Sequence, residues 1–81
     1  MWHELKTWPE EFIMMTSGVK TFEVRKNDRL YGAGDFLCLR EWDPGLQSYS
    51  GRCVTRRVEY IMYGPKFGLP AGMVVMAVVP A

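Results

Sequence analysis

The residues of this 81-residue chain best suited to chemistry lie in one short run, Gly18-Val19-Lys20-Thr21-Phe22-Glu23-Val24-Arg25. It brings an ammonium, a carboxylate and a guanidinium close together in sequence. Lys20 and Glu23 have the groups needed for an acid and base pair, or for stabilising charge in a transition state. Glu23 can also accept hydrogen bonds from Lys20 or Arg25, while Arg25 offers a planar fork to a phosphate, a carboxylate or a base edge. The same residues are compatible with an ion network that only orders the start of a strand. Strict strand alternation places Glu23 and Arg25 on one face and Lys20 on the other. Their convergence therefore requires a backbone turn, for which Gly18 supplies the freedom.

The elements that must position this run can be read from spacing. A short opening strand is followed by Thr7-Trp8-Pro9-Glu10-Glu11-Phe12-Ile13-Met14-Met15-Thr16-Ser17-Gly18, which has the punctuation of a helix. Pro9 fits the first turn, Glu10 and Glu11 complement the positive helix end, and Gly18 can take the left-handed stop. Trp8, Phe12 and Met15 recur at helical spacing, and the expectation is that all three face the core. From Thr21 to Arg25 the chain alternates, with Phe22 and Val24 on one side and Thr21, Glu23 and Arg25 on the other, as in a half-buried strand.

After the Lys26-Asn27-Asp28-Arg29 run and the Gly32-Ala33-Gly34-Asp35 turn, Phe36 to Trp42 reads as a second strand, rich in apolar residues. Asp43-Pro44-Gly45 marks a turn, with a hairpin loop expected as far as Gly51. A long strand follows from Arg52 to Met62, with Val54, Val58, Tyr60 and Met62 on one parity and a polar, exposed face on the other. Met73 to Val79 is continuously apolar and belongs in a sheet centre or a closed barrel. The expected fold is α+β and mainly β, a small barrel of about five strands with one N-terminal helix packed on it. A chain of this length encloses one core, so residues 1–81 are expected to form a single domain.

Composition narrows the functions. Ten Lys and Arg nearly balance nine Asp and Glu, leaving a net charge of +1, so any nucleic-acid site must be local. The basic stretch of Lys20, Arg25, Lys26 and Arg29 is the place for one. Cys38 and Cys53 lack metal-site spacing and His3 is the sole histidine, so neither a metal nor another cofactor is expected. His3 either lines a cleft or packs near the terminus. The charged opening residues do not read as a secretory signal, and no apolar span reaches bilayer length. A cytoplasmic, monomeric, non-membrane protein with reduced thiols is the resulting expectation.

Gly18-x-Lys20-x-x-Glu23-x-Arg25 resembles the GxKxxExR signature of the ASCH domain, a branch of the PUA-like superfamily. His3-Glu4-Leu5-Lys6, Trp8-Pro9, Arg25-Lys26-Asn27-Asp28-Arg29, Gly34-Asp35, Arg40-Glu41, Asp43-Pro44 and Phe67-Gly68-Leu69 extend the resemblance over nearly the whole chain, toward a compact bacterial and phage group of ASCH-like domains. The resemblance implies a PUA-like barrel and an RNA- or nucleotide-binding module whose cleft lies between helix and barrel. Lys6, Lys20, Arg25 and Lys26 would meet phosphates, Glu23 would share the site, and Trp8 or Trp42 would stack on bases or pack in the core. It also implies an alternative, a small hydrolase or ribonuclease acting through Lys20 and Glu23. Some ASCH-like hydrolases use a threonine nucleophile at the position held here by Glu23. A carboxylate cannot take over that step, which leaves Thr21 as the hydroxyl beside Lys20. A third expectation is a phage-type domain that binds a protein partner.

Overall fold

The computed structural model describes residues 1–81 as β1 (Trp2–Thr7), α1 (Pro9–Thr16), β2 (Phe22–Lys26), β3 (Phe36–Asp43), β4 (Ser48–Tyr63) and β5 (Met73–Pro80). The strands form one sheet in the order β1-β3-β4-β5-β2, curled into a half-barrel. β1 runs parallel to β3, and every other pairing is antiparallel. β1 and β2 are the two edges, so no backbone ladder closes the circle. Arginine side chains bridge the gap instead: Arg25 Nη2 donates to the Lys6 carbonyl at 3.0 Å and Arg29 Nη1 to the Glu4 carbonyl at 2.9 Å.

The core lies against the concave face. Leu5, Leu37, Leu39, Val58, Val74, Met76 and Val78 point inward from the strands, and Met15 seals them from the helix. Alternation in β1 and β5 explains the set, because one side of each strand is consistently buried. Pro9 opens α1 and Gly18, at φ +82°, follows its end, as their residue types require. No basic residue occupies the last helical turn, and Arg56 from β4 supplies the missing donor by binding the Met15 carbonyl at 3.0 Å.

Four expectations need correction. Trp8 is 57% exposed, unlike Phe12 and Met15, because it stands at the N-cap in extended backbone, outside the helical repeat. The β3–β4 connection is shorter than expected. Asp43 Oδ1 accepts from the Gly45 and Leu46 amides, the chain reverses, and Ser48 already pairs with Asp43. In β4 the register slips between Val58 and Tyr60, which turns Tyr60 outward and brings Ile61 against the core. Finally, β2 alternates as expected but faces the other way: Glu23 is buried, while Phe22 and Val24 are nearly half exposed beside Ala77 and Val75 of β5. Ion pairing on the inner side outweighs the usual burial of the apolar face.

His3 packs near the terminus. Its buried ring meets Tyr31 edge to face, and its Nε2–H donates to Asp35 Oδ2 at 2.8 Å. The Gly32 amide donates to the same oxygen, and the Met1 ammonium binds Oδ1. Burial works against the Asp35 charge, but the hydrogen bonds from His3, Gly32 and Met1 outweigh it and hold the carboxyl at about 2, below its ordinary 3.8. Folding thus favours the ionised form, whose stabilisation is complete above pH 3.8 and is lost as pH falls toward 2. Asp35→Asn is expected to lower stability at neutral pH and to flatten the acid limb of the curve in that window. Thermal unfolding as a function of pH measures this; an unchanged acid limb would contradict it.

Candidate functional site

A cleft of about 290 Å³ opens between α1 and the seam joining β1 to β2. Its walls include Lys20, Glu23 and Arg25, singled out by type and spacing, and Lys6 and Trp8, named through the ASCH resemblance. Lys26 is not among them. It follows Arg25 on β2 and so projects to the opposite, exposed side.

The convergence of Lys20, Glu23 and Arg25 has a local cause. After α1 the chain reverses at Gly18, and the Lys20 amide donates back to the Met14 carbonyl at 2.9 Å. Lys20 therefore precedes the strand, which begins at Phe22, and strand alternation does not govern its direction. Its Nζ bonds Glu11 Oε1 at 2.8 Å and stands 3.5 Å from Glu23 Oε1. Arg25 Nε donates to Glu23 Oε2 at 3.0 Å, and its Nη2 reaches both the Lys6 carbonyl and, at 3.5 Å, Thr7 Oγ1.

Glu23 is the centre of this array, with a side chain only 3% exposed. Two cations offset its charge, yet Oε1 has no hydrogen-bond partner, because Lys20 attracts it without hydrogen-bonding geometry. A buried acceptor of this kind is costly to leave unmet, by about 1–3 kcal/mol. Glu23 lines the cleft, but Oε1 itself has almost no exposed surface and sits behind the Lys20 ammonium.

Spacing alone did not reveal four further lining residues: Thr7, Glu10, Glu11 and Val24. Glu11 was legible as a helix-end charge but not as the partner of Lys20, which depends on how the chain folds back. Val24 contributes through its backbone. Thr21 accepts from Val78 and Asn27 donates to Gly72, so the odd-numbered residues of β2 face β5. The Val24 N–H and C=O are consequently turned to the free edge, where they offer one donor and one acceptor. Glu10, Glu11 and Glu23 balance Lys6, Lys20 and Arg25, so the cleft is not a cationic hole. Thr21 is exposed and outside it, as are the free thiols of buried Cys38 and exposed Cys53.

The molecule is thus a small α+β domain built from a curled five-stranded sheet, one short helix and a polar cleft at the open seam. The model of the family described as "Domain of unknown function (DUF3850)" matches residues 2–78, and the chain belongs to that family. It is also similar to the "Uncharacterized 12.9 kDa protein in GpA 3'region" of Escherichia phage P2, with 41% identity over 56 residues. That match covers 69% of this chain and 50% of the phage protein, so the chain spans about half the length of the curated relative it matches. No helix is long and apolar enough to cross a membrane.

Proposed function

We propose that the cleft binds a nucleobase, presented by RNA or by a free nucleotide, and that Glu23 recognises it by accepting a hydrogen bond from an exocyclic amino group. The observation that carries this reading is the buried Glu23 Oε1, which receives no hydrogen bond and has only the Lys20 ammonium at 3.5 Å. An ionised carboxylate accepts only, so it favours the N–H donors of cytosine, adenine or guanine and repels both a phosphate and the O4 of uracil. The Val24 backbone edge can complete the hydrogen bonding of a planar ring. Exposed Trp8 at the mouth offers a stacking surface, and Lys6 is the cation best placed for the attached phosphate. Lys20 and Arg25, first expected at phosphates, serve instead to hold Glu23.

The meeting of the signature residues Lys20, Glu23 and Arg25 in one cleft also supports an ASCH-type, PUA-like assignment for the half-barrel, and a nucleotide or RNA ligand would go with a cytoplasmic role. Nothing in the geometry favours the hydrolase or ribonuclease alternative over binding. Lys20 Nζ is engaged by two carboxylates, and Thr21 is exposed and outside the cleft.

Titration of the protein with CMP, AMP, GMP and UMP, followed by amide NMR shifts, tests the reading. Amino-bearing nucleotides are expected to bind about ten-fold or more tightly than UMP, with shifts centred on Glu23 and Val24. Affinity for short RNA should fall as salt rises. Absence of binding throughout the panel, or preference for UMP, would overturn the assignment.

A further inference from the structure

Beside the cleft, the outer face of β1, β3 and β4 carries a second cluster made of Lys6, Arg40, Trp42 and Tyr49. The register sets Lys6 opposite Arg40 and Trp42 opposite Tyr49. Lys6 Nζ stands 4.0 Å from the Trp42 ring centroid, the Arg40 guanidinium 3.8 Å from that of Tyr49, and the two rings meet edge to face at 4.9 Å. Cation–π contact thereby holds two aromatic rings in place without enclosing them. Tyr49 is 37% exposed and Trp42 is only partly buried. Lys6 pairs with no carboxylate, and Arg40 has only a loose 3.6 Å contact with exposed Glu4. Both cations are free to meet an anion.

Lys6 belongs to this cluster and to the cleft wall alike, so the two surfaces are continuous. We propose that the outer cluster seats the nucleotide next to the one held at Glu23, so that single-stranded RNA runs from the cleft over Lys6 onto Trp42 and Tyr49. Charge complementarity and continuity with the cleft select this occupant. Lys6 and Arg40 meet the phosphates, and the fixed rings meet a base face, a combination that suits an unpaired strand. A duplex keeps its base faces stacked within the helix and gains nothing here. This proposal rests on the nucleobase reading of the cleft and extends it to a strand.

Fluorescence anisotropy with the full chain compares a mononucleotide, a single-stranded tetranucleotide and a duplex of the same sequence. The tetranucleotide is expected to bind about ten-fold or more tightly than the mononucleotide, and the duplex to show no such gain. Trp42→Ala should remove about five-fold or more of that gain, taken as the ratio of tetranucleotide to mononucleotide affinity in the same variant, and Trp42→Phe should restore part of it. Tyr49→Ser and Arg40→Gln, at more exposed positions, provide the same comparison should Trp42→Ala fail to fold. Equal affinity for the two single-stranded ligands, or a full gain in the folded variants, overturns the second seat and leaves the cleft intact. Tetranucleotide binding that depends on Trp42 without mononucleotide binding retains this face and removes the cleft reading. If neither ligand binds, both fall.

Discussion

Arg25→Ala is expected to destabilise the domain by about 2–3 kcal/mol. Removing one partner of a buried ion pair costs about 3–5 kcal/mol, and the value is discounted here because the Arg25 side chain is 26% exposed. Two losses combine in this variant. Glu23 keeps a buried charge with only Lys20 near it, and the β1 edge loses the donor that meets the Lys6 carbonyl. For a domain this small, such a loss is a large share of the total stability. Urea unfolding should show a lower midpoint with an unchanged slope. Arg25→Lys should recover only part, because an ammonium keeps the charge but cannot span Glu23 and Lys6 as the guanidinium fork does. A midpoint unaltered in both variants would mean that the guanidinium contributes nothing to the seam.

Glu23→Gln is expected to change what the cleft selects. The amide matches the carboxylate in shape but has a donor as well as an acceptor. Replacing a charge-assisted hydrogen bond with a neutral one should cost about ten-fold in affinity for amino-bearing nucleotides. The new N–H can meet O4 of uracil, so UMP should lose little or gain. The ratio of CMP to UMP affinities is the decisive quantity, since simple loosening of the fold would lower both together. A ratio equal to that of the unaltered protein would remove Glu23 from recognition.

The parts of the fold that were legible in sequence are those set by local chemistry. Pro9 and Gly18 bracket the helix because both act through their own backbone geometry. The apolar run from Met73 to Val79 announced an inner strand, and β5 indeed lies between β4 and β2. What could not be read depends on distant partners. Nothing local reveals that β2 directs Glu23 inward, since this follows from Lys20 and Arg25 meeting it and from Lys6 lying across the seam. The slip in β4 is equally silent, as the residues from Val58 to Tyr60 carry no glycine or proline to mark it. Of the site, Lys20, Glu23 and Arg25 were recognisable by type and Lys6 and Trp8 through the family resemblance, whereas Glu11 and the Val24 backbone became visible only once helix and edge strand were juxtaposed.

The arginines across the open seam also affect how these molecules treat one another. A half-barrel has two bare rims, and a rim with free carbonyls in a row is a template on which a neighbour's strand can add. On the β1 rim, the carbonyls of Glu4 and Lys6 are already occupied by Arg29 and Arg25. An approaching chain finds bulky, charged side chains where it would need acceptors. The guanidinium that pairs with buried Glu23 is therefore also a guard against the growth of shared sheets between copies.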